Sequence, residues 1–201
     1  MKIICIAKNY ALHAKEMNDP VPEIPVFFMK PDTALLLNNK DFYYPDFTQD
    51  LQYETEIVVR INKVGKHIEP EFAYKYYDEI GIGIDFTARD IQRQCKAQGN
   101  PWEQAKSFDF SAPVSDFKPK SAYGEHINFS LKLNDIQVQK GNSKDMVFSI
   151  DKIISYVSKF VTLKIGDLIF TGTPEGIGKV KPGDRLQAFL ENECLLDFKI
   201  K

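Results

Sequence analysis

The run YETEIVVRI, Tyr53 to Ile61, alternates like a β-strand yet opens with two carboxylates two positions apart, Glu54 and Glu56. Residues i and i+2 of a strand share a face about 7 Å apart. The pair is therefore predicted to point one way and Thr55, Ile57, Val59 and Ile61 the other. Like charges so placed repel unless a cation lies between them. Mg²⁺ takes oxygen ligands, commonly carboxylates together with waters and substrate oxygens. Asp85, at the end of a second predicted strand and just before a helix start, is the natural third carboxylate. A strand with a solvated polar face has the same spacing, and alternation by itself favours that plainer reading.

His13 and Glu16 form a second candidate group. They lie three apart on a short predicted helix, Asn9–Met17, and so share a face. A glutamate there can orient an imidazole and help it take a proton from water. An ordinary surface helix would carry the same pair. Lys106, in AKSFD, is a candidate buried cation facing an anionic substrate, though it is one lysine among many. The loop Gly172–Gly178 is glycine-rich like a phosphate cradle. It places Ile177 where a P-loop needs its second glycine and Val180 where Ser or Thr must follow the lysine, which excludes nucleotide binding there.

The elements that must position these residues are legible in outline. Asn9 is a possible cap for the first helix. Pro20, Pro22, Pro25 and Pro31 stiffen the loop after it, and Asn38–Asp41 marks a turn. A short helix is predicted over Glu71–Tyr77 and a strand over Glu79–Phe86. Thr87 is then expected to cap a helix from Ala88 to about Ala97, ending near Gly99. Lys106 and Phe108 fall in an irregular or short-strand region. A hairpin is predicted from Phe129–Leu133 and Ile136–Val138 across Asn134-Asp135. Ser149 should cap a helix whose Ile150, Ile153, Ile154, Val157, Phe160 and Val161 form a buried stripe. Strands follow over Asp167–Thr171, Arg185–Leu190 and Cys194–Ile200. Short strands dominate without βαβ alternation, so the class is α+β with a largely β core in one domain, residues 1–201.

Composition excludes several functions. The chain has 201 residues, 43% hydrophobic and 27% charged, with a net charge of −2 and no basic tract, so it lacks an electrostatic footprint for nucleic acid. No apolar run approaches the roughly 20 residues of a membrane span. The first residues, MKIICIAKNY, read as a strand and not as a signal peptide. Cys5, Cys95 and Cys194 are odd in number and widely spaced, which argues against disulfides and a zinc site and for a reducing compartment, the cytoplasm.

Taken together, KNYALHAKEM, VFFMKPDTAL, YETEIVVRI, GIDFTARDIQ, WEQAKSFDFSAPV, MVFSIDKIISYVSKFVTLKIGDLIFTGTPEGIG and VKPGD resemble the fumarylacetoacetate hydrolase family. The likeness is greatest to its short single-domain branch of acylpyruvate hydrolases and oxaloacetate decarboxylases, and runs from about residue 7 to residue 185. The resemblance implies mixed sheets rolled into a barrel-like fold with a few peripheral helices. It implies Mg²⁺ or Mn²⁺ held by Glu54, Glu56 and Asp85, and a water-activating dyad of His13 and Glu16. Lys106 would stand near metal and substrate, with Gln92 and Thr173 as substrate contacts. It further implies a homodimer acting on a small 2-keto acid, by hydrolysis of acylpyruvates to pyruvate and a carboxylic acid, by decarboxylation of oxaloacetate, or by both. Related proteins isomerise or hydrate unsaturated keto acids, and a non-catalytic metal-binding protein is a further alternative. One position departs from the family: Lys8 stands where an arginine is usual, keeping the charge but losing the bidentate fork, which bears on substrate binding.

Overall fold

The computed structural model describes residues 1–201. Strand β1 (Ile3–Ala7) leads through helix α1 (Ala11–Glu16) to β2 (Val26–Lys30) and the two-residue β3 (Leu35–Leu36). β4 (Leu51–Tyr53), β5 (Thr55–Ile61) and β6 (Tyr77–Ile84) follow, then β7 (Thr87–Ala88), α2 (Arg89–Gln98) and the single turn α3 (Glu103–Lys106). Beyond the short β8 (Ala112–Pro113) and β9 (Lys118–Pro119) come the hairpin β10 (Asn128–Leu133) and β11 (Ile136–Asn142) and helix α4 (Ile150–Ser158). β12 (Leu168–Phe170), β13 (Gly178–Lys179), β14 (Arg185–Leu190) and β15 (Glu193–Lys199) complete the chain.

A six-stranded sheet in the order β2-β1-β12-β5-β6-β9 carries the site, and a four-stranded sheet, β11-β10-β14-β15, packs near it. β1 and β12 run parallel, and the other neighbours in the large sheet are antiparallel. β5 is an inner strand, so it has no solvated face: Ile57, Val58, Val59 and Ile61 are all fully buried. Gly83 on β6 permits this tight stacking. A Cβ there would lie 2.6 Å from the Phe170 ring and 2.9 Å from Val58. Truncating a fully buried isoleucine such as Ile57 to alanine costs about 2–5 kcal/mol in a core of this kind.

The mixed, mostly β architecture agrees with the expectation from sequence, but barrel-like closure is not formed by strand pairing. Four separate sheets of six, four, three and two strands each keep two edges. One reason lies in β9, an edge strand that ends on Pro119, which has no N–H to extend the ladder.

Local expectations held where short-range chemistry decides. Asn134 and Asp135 both take positive φ, 50° and 66°, in the hairpin turn. Ser149 Oγ accepts the Lys152 N–H at 3.3 Å, and α4 buries Ile153, Ile154 and Val157, but the helix ends at Ser158 and leaves Phe160, expected in the buried stripe, exposed. Gly99 ends α2 in the left-handed conformation, φ 69°. Four expectations are corrected. Asn9 does not cap α1; its amide is drawn into the core by Phe148 and Thr171. Thr87 is not a helix cap either: it lies in β7, and its hydroxyl returns to the Asp85 carbonyl. Lys106 ends a helical turn, α3, and Glu71–Tyr77 is a 3₁₀ segment, Pro70–Lys75, with β6 starting at Tyr77. No helix is long and apolar enough to cross a membrane.

Candidate active site

The strand register assembles the carboxylates. β5 and β6 pair Thr55 with Ile84 and Glu56 with Gly83. Continued one residue past the strand ends, that register sets Glu54 opposite Asp85, and the Asp85 amide donates to the Glu54 carbonyl at 2.8 Å. Glu56 shares the face of Glu54. The three side chains offer ligand oxygens all within 4.8 Å of one another. Because β5 is interior, they are buried: Glu54 is 5%, Glu56 2% and Asp85 1% exposed. This removes the reading of a solvated strand face.

Such a cluster survives only with counter-charge. Lys106 Nζ donates to Glu54 Oε2 and to Asp85 Oδ2, both at 2.8 Å. Arg89 Nη2 pairs with the other oxygen of Glu54. Lys30 Nζ lies 2.9 Å from Asp85 Oδ1 and donates to the carbonyls of Phe86, Lys106 and Ser111 and to the Ser111 hydroxyl. Glu54 and Asp85 thus each have two cationic partners, whereas Glu56 has none; it accepts only the Gly172 amide, at 2.6 Å. The protonation preferences follow. Burial alone would raise Glu54, but Lys106 and Arg89 outweigh it and hold this carboxyl well below its usual range. Glu56 is pushed up by burial and then by the neighbouring Asp85 and Glu54 charges. Lys106 is kept cationic by Asp85 and Glu54 against the opposing effect of its own burial.

The residues fit a divalent cation. Three buried carboxylates converge, one of them lacks a cationic partner, and Asp85 Oδ1 makes no hydrogen bond despite its closeness to Lys30. An all-oxygen set of this kind suits a hard ion such as Mg²⁺ or Mn²⁺.

The predicted dyad is also formed. His13 Nδ1 lies 3.1 Å from Glu16 Oε2, and Glu16 Oε1 accepts the Gly176 amide at 3.1 Å. α1 is thereby fastened to the glycine-rich loop that follows β12. His13, Lys8, Gln92, Lys106 and Thr173 line one cavity with the three carboxylates, and Glu16 stands behind His13. Gln92 accepts from Arg89 Nη1 at 2.5 Å, so its NH₂ is the end left to donate. Gln139 Nε2 donates to Thr173 Oγ1. Every residue singled out from sequence therefore converges on one place, although Lys8 lies at the edge and pairs with Asp19 at 3.4 Å.

Three important residues were not singled out. Arg89, Lys30 and Gln139 reach the site from positions 35, 55 and 84 residues away from Glu54, Asp85 and Thr55, the groups they serve. Arg89 alone left a trace in the sequence, its three-residue spacing from Gln92 at a helix start.

Comparison with known proteins finds relatives along nearly the whole chain. The model of the fumarylacetoacetate (FAA) hydrolase C-terminal family matches residues 2–196. Oxaloacetate tautomerase FAHD1, mitochondrial, of Mus musculus is 41% identical over 201 residues, 99% of this chain and 91% of that protein. Oxaloacetate tautomerase YcgM of Escherichia coli K12 is 39% identical over 197 residues, 96% of this chain and 90% of that protein. The crystal structure of fumarylpyruvate hydrolase from Pseudomonas aeruginosa, in complex with Mn²⁺ and pyruvate, superposes with a TM-score of 0.94 at 35% identity, covering 100% of this chain and 89% of that one.

Proposed function

The chain belongs to the fumarylacetoacetate hydrolase family, and on that premise we propose that it is a metal-assisted enzyme that moves a proton on small 2-keto acids, with oxaloacetate tautomerisation as its first reaction. The observation that carries this reading is that His13, held by Glu16, lines the same cavity as Glu54, Glu56 and Asp85. A divalent cation on those carboxylates would supply Lewis-acid polarisation of the 2-keto group and stabilise the enolate oxygen.

The chain's own groups supply the rest. In the keto-to-enol direction His13 takes a proton from the carbon between the two carbonyl carbons, and Glu16 stabilises the imidazolium that results. The C2 oxygen gains the proton as the enol forms, and the sequence reverses for ketonisation. Lys106 uses two of its three hydrogens on Glu54 and Asp85, leaving one for negative charge developing at the C2 oxygen. The NH₂ of Gln92 and the hydroxyl of Thr173 hold the substrate's oxygens, and burial keeps bulk water from competing for them.

Hydrolysis of acylpyruvates and decarboxylation of oxaloacetate proceed through the same enolate, the first with His13 activating a water. Likeness to the fumarylpyruvate hydrolase of Pseudomonas aeruginosa favours retaining hydrolysis as the second reading. The family likeness also carries the expectation of a homodimer, and three free cysteines suit a reducing compartment such as the cytoplasm.

The test is to add enol-oxaloacetate to purified protein and follow loss of the enol absorbance, with Mg²⁺ and then with EDTA. Acetylpyruvate and keto-oxaloacetate are assayed for pyruvate in parallel. Metal-dependent acceleration of enol decay is expected. Mg²⁺ binding without acceleration of any of the three reactions would leave the non-catalytic alternative standing.

A further inference from the structure

The rim of the cavity carries charges that the chemistry above does not use. Its floor, formed by Glu54, Glu56, Asp85, Arg89, Gln92 and Lys106, is at most 5% exposed. The side chains of Lys8 and Asp19 are 23% and 22% exposed and that of Lys96 is 33% exposed, which makes these three lining residues the solvent edge. One oxygen, Asp19 Oδ2, serves both cations: Lys96 Nζ is 2.9 Å away and Lys8 Nζ 3.4 Å.

Each of the three comes from a different element. Lys8 follows β1 in left-handed backbone, φ 59°. Asp19 lies just beyond α1, the helix that carries His13. Lys96 is on α2, which begins with Arg89, and its ammonium sits 5.8 Å from the centre of the Trp102 ring. A single carboxylate thus ties the segment after α1 to both sides of the opening. The bridged set keeps one net positive charge. Two ammonium groups converging on one carboxylate oxygen are a ready receptor for a carboxylate, and the chain supplies its own occupant.

We propose that Asp19 is a specificity-determining residue: its carboxylate stands in for the distal carboxylate of a 2-keto diacid, which displaces it from Lys8 and Lys96 on binding. This rests on the 2-keto acid reading above. A diacid replaces the bond it breaks and re-closes the rim with its own charge. A monoacid of the same length has no group to compete for the lysines and leaves the bridge closed. Asp19 therefore lowers affinity for the diacid alone, which must displace it to reach Lys8 and Lys96. Removing the Asp19 charge while keeping its shape frees both ammonium groups for the diacid.

Two probes of equal length isolate the effect: 2-oxoglutarate, and 2-oxopentanoate, in which a methyl group replaces the distal carboxylate. Their affinities are measured by calorimetry with Mg²⁺ present for the wild-type protein, Asp19→Asn and Lys96→Met. Asp19→Asn is expected to tighten 2-oxoglutarate about fivefold, the scale of one part-exposed ion pair, and to move 2-oxopentanoate by less than about twofold. Lys96→Met should bring 2-oxoglutarate down toward 2-oxopentanoate, and added KCl should narrow the wild-type difference between the two. Equal shifts for both acids in Asp19→Asn, or no shift in either, overturn the role of Asp19 while leaving the keto acid reading intact. Failure of the wild-type protein to bind either acid overturns both.

Discussion

Gln139 Nε2 donates to the Thr173 hydroxyl at 2.9 Å, and the same side chain spans the gap between the carboxylate strand and the glycine-rich loop. Its second N–H reaches the Pro174 carbonyl at 2.9 Å, and its oxygen accepts the Thr55 amide at 2.9 Å. With its oxygen already accepting from Gln139, Thr173 keeps its own hydrogen free to donate to a ligand in the cavity it lines. Gln139→Leu should leave buried partners unsatisfied, at about 1–3 kcal/mol each. It should raise KM for oxaloacetate more than it lowers kcat, which steady-state kinetics would read directly. A fall in kcat at unchanged KM would contradict the positioning role.

Lys106 is the cation shared by Glu54 and Asp85. Lys106→Met leaves both carboxylates short of a counter-charge in a buried setting, a change of about 3–5 kcal/mol for a broken buried pair. Urea unfolding of the metal-free protein should show that loss, and enol turnover should fall at least about a hundredfold. Lys106→Arg is not expected to restore activity, since a planar guanidinium cannot aim one hydrogen at each carboxylate and a third at substrate.

His13→Gln keeps a polar side chain and removes the proton carrier. Turnover should drop by about two to four orders of magnitude, while Mg²⁺ affinity measured by calorimetry stays as in the wild type. Loss of Mg²⁺ binding in this variant would place His13 with the metal ligands instead.

Chelation should destabilise the protein. An ion that binds only the folded state at a hundred times its Kd adds about 2.7 kcal/mol. Melting with Mg²⁺ should therefore occur well above melting with EDTA. Glu56→Gln removes the one carboxylate without a cationic partner, so it should erase the Mg²⁺ effect and raise the melting temperature in EDTA. An Mg²⁺-dependent shift that survives in Glu56→Gln would locate the bound ion elsewhere.

Asp50 gives a separate, acid-side prediction. Its carboxylate is 3.0 Å from Gln52 Nε2, 2.8 Å from Arg93 Nη2 and 3.3 Å from Lys179 Nζ. Burial would raise it, but Arg93, Gln52 and Lys179 prevail and hold it below its ordinary 3.8. A depressed value in the folded state means that the contribution is present above 3.8 and is lost as pH falls through the lower folded value. Asp50→Asn should therefore flatten the acid limb of the stability curve below that pH. The effect should be about 1 kcal/mol or less, because Arg93 and Lys179 are solvated.

What the sequence determined by itself is what short-range geometry dictates. The two-residue strand period put Glu54 and Glu56 on one face, and the helical period did the same for His13 and Glu16. The Asn134-Asp135 turn and the Ser149 cap depend only on neighbours, and both are present in the fold. Strand position singled out Asp85 and the AKSFD stretch offered Lys106, and the family motifs added Gln92 and Thr173, without showing how the four meet. Tertiary structure decided the rest, because burial and counter-charge are set by partners far apart in the chain. Flanking by β12 and β6 makes β5 an inner strand and turns a pair that could have been solvated into a buried cluster. Only the folded chain brings Arg89, Lys30 and Lys106 against that cluster, leaves Glu56 without a cation, and sets Asp19 between two lysines at the rim. No periodicity encodes these relations, since each depends on where separate elements cross.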